Sequence, residues 1–465
     1  MKHLLFCALS LFSFCAHSAE SKRIVPGYFI EEIDVVGNHK TKTSIILREL
    51  SFRALKFYSK AEFETYHLER SHSNLQNLDL FNYMTITWVK STPTSSNRIK
   101  VQVTVEEKWY FWPIPFIEFA DRNFNQWYSL DLDPYRTNYG LYLFKNNLWG
   151  LNHTAKFTFG RGYTNTFGFN YVAPYVDKGK QFGFDIDIRH KTNRELQYNV
   201  IDNKEQFFRD LDQVLIRRQT ARLGLIYRPK LYLTHRISTE LNHTALADTI
   251  LSDGLNPNYL FQGRQRQSTI STFYGLIHDK TDNQFMPLKG SRFTFTGGYN
   301  HFMKSSKGYW FTRSSAALFK LIGKGKRPVG IGIHGVYRTS SDHSLPFDHS
   351  RALGYDDYVR GYENNVILGN RYGLVKYEVR YILFRDKNFH LRYMPIQSYK
   401  DMKTTTFLSL FADHGFSEYR GSVQRINGYG IGLNSMFYYD KVVRFEYSWN
   451  KVGESSIKLH FKKAF

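Results

Sequence analysis

An arginine and two carboxylates in the C-terminal half of the sequence could form a buried cluster of charged side chains. Arg360 lies inside a long polar segment, and Asp413 and Glu378 lie in segments where polar and apolar residues alternate. Because a desolvated charge without a partner is very costly, an arginine held in a narrow polar space requires an acidic partner. We therefore predict that Arg360 pairs with Asp413, with Glu378 as a second carboxylate nearby. The next residue, Gly361, would let the chain turn tightly.

The sequence lacks the common motifs of enzyme chemistry. It has no Gly-x-Ser-x-Gly elbow, no His-Glu-x-x-His pair and no phosphate-binding Gly-x-x-x-x-Gly-Lys loop. The histidines are scattered, and His414 and His460 have no obvious chemical partner, so a lipid hydrolase is only an alternative. Both cysteines, Cys7 and Cys15, lie near the N-terminus, and the rest of the chain offers no thiolate ligand. We predict no enzyme activity, no catalytic residue, no metal site and no cofactor.

The first 19 residues have the pattern of a secretory signal peptide. A positive start at Lys2 precedes an apolar run at 4–14, and small residues follow. We predict cleavage after Ser18 or Ala19, and a retained membrane anchor or, because of Cys15, a lipoprotein are the alternatives. Export argues against nucleic acid as a partner, although the net charge is +22. Anionic lipid at the cell surface suits this basic excess better.

Residues 26–107 combine helical and strand patterns over a length that can support a small core of its own. The predicted elements are a strand at 28–36, helices at 41–50 and 61–80, and strands at 83–89 and 99–105. We expect the second helix to bury Phe63, Tyr66, Leu75 and Leu78. The predicted order is therefore strand, helix, helix, strand, strand, in a domain that folds independently.

Residues 108–465 have a strand pattern throughout. Apolar residues such as Val375 and Tyr377 alternate with polar residues such as Lys376 and Glu378, and aromatic residues make up 17% of the chain. The predicted strands centre near residues 114, 142, 156, 169, 186, 221, 236, 273, 295, 315, 333, 377, 408, 432, 446 and 460. A soluble β-sandwich would also show this alternation. Charges on the polar face, however, favour a water-filled lumen, and strands of about nine or more residues are long enough to cross a membrane.

We therefore predict a membrane all-β fold, an antiparallel transmembrane β-barrel of about 16 strands. It must be closed, because an open sheet would leave unpaired backbone groups in hydrocarbon. Polar segments at 191–213, 244–267 and 339–370 are predicted loops on the outer side, and the turn Asp440-Lys441 is predicted on the opposite side. The third loop is long, and its aromatic residues favour an ordered structure.

These segments resemble the BamA/TamA family of outer-membrane assembly proteins, within the bacterial surface antigen superfamily. Residues 359–362 are similar to the family signature at the tip of the sixth extracellular loop, which folds back into the barrel. Residues 411–415 are similar to the motif on the strand that this tip contacts, and 279–290 to a turn between mid-barrel strands. Residues 26–107 resemble one POTRA domain, the family's periplasmic module, preceding the barrel.

The resemblance implies three groups of site residues. They are the loop-tip residues Val359, Arg360, Gly361 and Tyr362, the barrel-wall partners Phe411, Asp413, Gly415 and Glu378, and the C-terminal recognition residues Leu459, Phe461 and Phe465. The loop tip is expected inside the lumen. The alternative for Arg360 is a position in solvent near the outer leaflet, bound to lipid phosphate.

The resemblance also implies a function in the outer membrane of a Gram-negative bacterium, with the POTRA domain in the periplasm. The implied partners are client outer-membrane or secreted proteins, accessory periplasmic proteins that bind the POTRA domain, and outer-membrane lipid. In the family, the weakly paired first and last strands open sideways and template a client strand; here these would be 112–119 and 456–465.

The number of POTRA domains separates two roles within the family. General assembly catalysts usually carry several, whereas this chain has room for one, which favours a specialised relative. A passive pore or surface-binding barrel is the alternative, although a simple pore has no use for a POTRA domain.

Overall fold

The computed structural model describes residues 26–91, 97–120, 127, 131–252, 254–323, 325, 328–390, 392–393, 400–437 and 441–460. The predicted signal peptide lies outside these residues, as do Phe461, Phe465 and Asp440. Within the described ranges, every helix is too short or too polar to cross a membrane.

The N-terminal domain is a four-stranded sheet with helices packed against it. Its elements are β1 (Gly27–Val36), α1 (Thr43–Glu49), β2 (Lys56–Ser59), α2 (Lys60–Glu62), a π-helical turn (Phe63–His67), α3 (Leu68–Gln76), β3 (Phe81–Lys90) and β4 (Arg98–Glu107). The strand order is β2-β1-β4-β3, with β1 and β4 parallel in the centre and antiparallel strands at both edges. Alternating apolar residues of β4, such as Val101 and Val103, face the helices and form the core.

Two details of this domain differ from the predicted order. The short strand β2 was not predicted, because four residues are too few to show a period of two. Tyr66 was predicted to be buried but is 53% exposed, and His67 is buried instead. The cause is the π-helical turn, in which Leu68 N donates to Phe63 O, so that the buried side moves one residue further along the chain.

The rest of the chain forms the barrel and its connections. The strands are β5 (Phe111–Phe119), β6 (Thr137–Leu148), β7 (His153–Gly162), β8 (Thr164–Ala173), β9 (Phe182–Asn193), β10 (Glu195–Ile201), β11 (Lys204–Arg209), β12 (Ile216–Lys230), β13 (Leu233–Leu246), β14 (Arg266–Asp279), β15 (Gly290–Phe302), β16 (Gly308–Ile322), β17 (Val329–Ser340), β18 (Arg371–His390), β19 (Asp401–Tyr419), β20 (Ser422–Phe437), β21 (Lys441–Asn450) and β22 (Ser455–His460). Sixteen of them form one antiparallel sheet that runs in chain order from β5 to β22, and β10 and β11 form a separate hairpin. The predicted fold class is confirmed, and every predicted strand centre falls within a strand.

The period of two sorts the barrel side chains as predicted. In β20, Tyr429, Ile431 and Leu433 are exposed on the outer face, whereas Asn434 is fully buried inside. In β9, Ile188 faces outward, and Asp185 is buried on the lumen side. The lumen wall is therefore polar and charged, and the outer wall is apolar and aromatic, as a transmembrane barrel requires.

The barrel has two different ends. We call the end beside the N-terminal domain the proximal end and the opposite one the distal end. At the distal end, the segment predicted as a plain loop at 191–213 contains the β10–β11 hairpin, and 244–267 contains helix α4 (Asp248–Ser252). These elements were missed because the segments are mostly polar. Their few apolar residues, such as Leu196 and Ile250, pack together in one cluster. The long loop (residues 341–370) joins β17 to β18 and has one 3-10 turn, Phe347–His349.

Candidate functional site

The tip of the long loop is a tight turn held inside the barrel. Tyr362 N donates to Val359 O at 3.0 Å, and Gly361 has a φ of +92°, a left-handed conformation that favours glycine. Gly361 N donates to Glu363 Oε2 at 2.8 Å, and burial raises the pKa of the Glu363 carboxyl. The turn therefore fixes the direction in which the Arg360 side chain leaves the loop.

Arg360 points into the barrel wall and is only 1% exposed. Its Nε and Nη2 donate to the two Asp413 oxygens at 2.9 and 2.6 Å, and its Nη1 donates to Glu378 Oε2 at 3.1 Å. The Arg360 backbone N adds a third bond to Asp413, at 3.0 Å. The guanidinium lies 3.8 Å from the centre of the Phe411 ring, in cation–π geometry. Both carboxylates named from the sequence therefore accept hydrogen bonds from Arg360.

Further charged residues surround this pair and extend it into a network. Arg380 Nε donates to Glu378 Oε1 at 2.8 Å, Glu446 Oε1 lies 3.7 Å from Arg360 Nη1, and Arg444 Nη2 donates to Glu446 at 2.6 Å. We call these six residues the Arg360 cluster: Arg360, Glu378, Arg380, Asp413, Arg444 and Glu446. Three of them, Arg380, Arg444 and Glu446, were not predicted as site residues. Their inward phase was visible in the alternation, but their proximity depends on the register of neighbouring strands.

Two glycines provide the space for the loop tip. A Cβ built on Gly415 would lie 2.8 Å from a methyl group of Val359, and one on Gly428 would overlap the Arg360 carbonyl oxygen. Gly428 stands directly opposite Asp413 in the register of β20 and β19. Gly415 was predicted as a wall partner, whereas Gly428 was missed. The loop tip thus rests on backbone that has no side chain at the points of contact.

The long loop contacts both sides of the barrel. Besides Asp413 on β19, it binds β16 through Asp357, whose carboxylate accepts from Arg313 Nη2 at 2.8 Å. It binds β12 through Asp348, which accepts from Arg218 at 2.5 Å. Because β12 and β19 are seven positions apart in an order of sixteen strands, the loop crosses the lumen from one wall to the other.

The proximal end contributes a second inward segment, the turn at 280–289. The Asp282 carboxylate accepts from the backbone N of Leu288 and Lys289 at 2.9 and 3.1 Å, which closes the turn. Met286 then packs inside the barrel, in a cluster with Phe407. Arg380 Nη1 donates to Pro287 O at 2.8 Å, so this turn is tied directly to the Arg360 cluster.

Two family models match the chain. One is described as the Omp85 superfamily domain and matches residues 147–416, and the other, a POTRA model described as a surface antigen variable number repeat, matches residues 28–108. The first covers more than half of the sequence. The chain belongs to the Omp85 superfamily. The resemblance read from the sequence is therefore confirmed, and the chain is an outer-membrane β-barrel protein of this superfamily with a POTRA domain.

Solved structures of Omp85 proteins are similar at low sequence identity. BamA from Haemophilus ducreyi lacking POTRA domains 1–3 is 11% identical with a TM-score of 0.49, and the match covers 93% of this chain and 83% of that one. CdiB from Escherichia coli is 13% identical with a TM-score of 0.48, covering 95% of this chain and 91% of that one. No curated protein sequence matches the chain significantly.

Of the C-terminal recognition residues, only Leu459 lies in the described part of the Omp85 barrel. It is on β22 and 56% exposed, as expected for the lipid-facing side. Phe461 and Phe465 lie outside the described residues, so their role stays a prediction. Among the described residues, no three His, Cys, Asp or Glu side chains are grouped to bind a metal.

The POTRA domain is joined to the proximal end of the barrel by a buried ion pair. Glu49, at the end of α1, is 1% exposed, and Arg228 of β12 donates to both of its oxygens, at 2.8 and 3.1 Å. Tyr175 donates to the same carboxylate at 3.1 Å. On the other side of the domain, Glu69 and Lys289 form an exposed contact at 3.7 Å. A second buried contact joins Thr41 to the barrel, where Asn147 Nδ2 donates to Thr41 Oγ1 at 2.8 Å.

We expect Arg228→Gln to loosen the POTRA domain at the barrel rim. Loss of the guanidinium leaves the buried Glu49 carboxylate with the Tyr175 hydroxyl and with Arg48 Nε at 3.7 Å, a longer contact, and weakening the pairing of a buried charge is destabilising. The distance distribution between spin labels on the POTRA domain and on a barrel turn should broaden markedly. The control is Lys289→Gln, because an exposed ion pair contributes little. An unchanged distribution in Arg228→Gln would show that this pair does not hold the domain.

Proposed function

We propose that this protein assembles or translocates client proteins at the outer membrane of a Gram-negative bacterium, through its POTRA domain and a laterally opening barrel. The clients would be outer-membrane or secreted proteins, with periplasmic accessory proteins on the POTRA domain and outer-membrane lipid around the barrel. The observation that carries the proposal is the long loop pinned across the lumen by the Arg360 cluster. A lumen crossed by an anchored loop suits a barrel that works by changing conformation.

The two ends of the barrel sheet support a lateral opening. The terminal strand β5 has 9 residues, and the described part of β22 has 6, whereas β18 and β19 in the same sheet have 20 and 19. Pro113 and Pro115 lie within β5 and cannot donate ladder hydrogen bonds. A short strand with missing donors costs less free energy to separate than the long β18–β19 ladder. We therefore place the opening between β5 and β22, where a client strand would add to the exposed edge.

The edges of the POTRA sheet offer a docking place for clients or accessory proteins. Strands β2 and β3 each have one partner within the sheet. Phe57 on β2 is 54% exposed, and Val89 on β3 is 64% exposed. Strand addition at such an edge combines main-chain hydrogen bonds with apolar side-chain contacts. The proximity of the domain to the barrel rim then suits delivery of a client to the barrel opening.

Depletion of the protein, followed by a quantitative inventory of outer-membrane and secreted proteins, tests the proposal. We expect a small set of client proteins to be lost while the bulk of the outer membrane is unchanged, since one POTRA domain favours a specialised role. Complementation with wild type should restore the set. The matched variant Asp413→Asn, which removes the charge that binds Arg360, should fail to restore it at equal protein level.

The protein inventory, combined with a conductance measurement, also tests the alternative of a passive pore or surface-binding barrel. A pore requires a stable open state, so purified protein in planar bilayers would show steady conductance. An unchanged protein inventory together with steady conductance would overturn the assembly proposal and support the pore. The loop crossing the lumen leads us to expect low basal conductance that rises when the Arg360 cluster is broken.

A further inference from the structure

A charged cavity of about 270 Å³ lies at the distal end of the barrel, away from the Arg360 cluster. It is bounded by β8, β9 and β12, by the β10–β11 hairpin and by the first half of the long loop. Its ionisable lining residues are Arg136, Lys191, Arg218, Arg351, Glu195 and Glu205. Four cations therefore face two carboxylates around one partly open cavity.

The three arginines of this cavity have carboxylate partners. Arg136 pairs with Glu195, and Arg218 Nη2 donates to Asp348 at 2.5 Å. Arg351 Nη2 lies 3.6 Å from the same Asp348 carboxylate. One carboxylate therefore serves two guanidinium groups, and this side of the cavity retains positive charge.

Lys191 has no such partner. Its ammonium group makes no hydrogen bond or ion pair with any residue in the part of the chain that the structure describes. In the antiparallel register of β9 and β12, Lys191 stands directly opposite Arg218. Like charges directly opposite each other on one face of a sheet destabilise it. The sheet thus holds Lys191 and Arg218 side by side at the cavity wall, and of the two only Arg218 has a carboxylate partner.

We propose that this cavity binds a phosphate group, with Lys191 and Arg351 as the residues that contact it. An anion carrying more than one negative charge would relieve the repulsion between Lys191 and Arg218, and guanidinium and ammonium groups together are typical of phosphate recognition. The rings of Tyr163 and Tyr355 also line the cavity, which suits a phosphate carried on a sugar. Inorganic phosphate and a phosphorylated sugar share this chemistry. The inference is independent of the function proposed above.

Isothermal titration calorimetry on the full chain in detergent micelles tests this site at low ionic strength. The two probes are inorganic phosphate and glucose 1-phosphate. We expect wild-type protein to bind, and Lys191→Gln to weaken phosphate binding by about tenfold or more, as loss of a charge-assisted hydrogen bond implies. The control is Lys156→Gln, because Lys156 lies over the Tyr142 and Phe144 rings and does not line the cavity.

The outcomes separate the two sources of phosphate. Equal affinity for both probes would assign the site to phosphate itself, and tighter binding of glucose 1-phosphate would assign it to a sugar phosphate such as a glycolipid headgroup. No binding of either probe, or equal weakening by Lys191→Gln and Lys156→Gln, would overturn the proposal. Binding of an acidic peptide in preference to both probes would also overturn it. A thermal transition of Lys191→Gln at or above that of wild type establishes that the variant is folded, since the substitution removes the repulsion with Arg218.

Discussion

Replacing Arg360 with alanine is expected to lower the free energy of unfolding of the barrel by about 3–5 kcal/mol, because it removes the cation that binds two buried carboxylates, Asp413 above all. Asp413 is 0% exposed and Glu378 is 2% exposed. Glu378 keeps the hydrogen bond from Arg380, at 2.8 Å. Asp413 loses every hydrogen bond from Arg360 except the one from its backbone N, so most of the loss arises there. Urea unfolding in detergent micelles, followed by tryptophan fluorescence, measures the change.

The conservative variant Arg360→Lys tests whether the planar guanidinium, with its several donors, is required or whether a positive charge alone is enough. Lysine keeps the charge but cannot donate along two parallel directions to Asp413 while also reaching Glu378. We therefore expect the free energy of unfolding of Arg360→Lys to lie between that of wild type and that of Arg360→Ala. The control is Arg371→Ala, whose partner Glu418 lies 3.2 Å away with side chains 41% and 24% exposed. Removal of that surface pair should cost about 0–1 kcal/mol.

Client assembly provides the functional readout for the same variants. If the pinned loop matters for function, Arg360→Ala and Arg360→Lys should lose clients at a protein level at which Arg371→Ala does not. A disulfide between paired cysteines, Arg360→Cys with Asp413→Cys, should form in intact membranes. Absence of that cross-link, together with wild-type stability of Arg360→Ala, would refute the pinned-loop model.

Much of the barrel could be predicted because a two-sided wall imposes a local pattern on the sequence. A lipid-facing and a water-facing side require strict alternation, as in β20, where Tyr429, Ile431 and Leu433 face outward. The alternation is readable without knowing which strands are neighbours. The pairing of Arg360 with Asp413 was expected mainly from the resemblance of residues 359–362 and 411–415 to family motifs, and the need of a buried charge for a partner supports it.

Features that depend on long-range geometry or on short segments could not be predicted in the same way. The β10–β11 hairpin has strands of 7 and 6 residues whose polar content resembles a loop. Arg380 joins the Arg360 cluster partly because the turn at 280–289 folds inward and presents the Pro287 carbonyl oxygen. Glu446 joins it because the register of β20 and β21 sets its height in the wall. A single sequence indicates whether a strand residue faces the lumen or the lipid. It does not indicate which residues of neighbouring strands lie beside it.

Gly428 illustrates this limit and provides the second test of the pinned loop. Glycines recur at inward positions 428, 430 and 432 of β20, and the sequence does not indicate which of them the loop tip contacts. The structure places the Arg360 carbonyl oxygen against Gly428, opposite Asp413. A methyl group there overlaps backbone, which cannot rotate away as a flexible side chain can.

Gly428→Ala is therefore expected to displace the loop tip and to destabilise the barrel by about 1–3 kcal/mol, the usual cost of overpacking. The Arg360 backbone must move by the width of a methyl group, and the hydrogen bonds to Asp413 lengthen with it. Limited proteolysis should then cut the long loop faster than in wild type, and the Arg360–Asp413 cysteine cross-link should form less efficiently. The control is Gly335→Ala on β17, where the nearest atom to a new Cβ is the Leu374 carbonyl oxygen at 4.0 Å. Equal proteolysis rates in the two glycine variants would mean that the loop tip does not rest on Gly428 in the membrane.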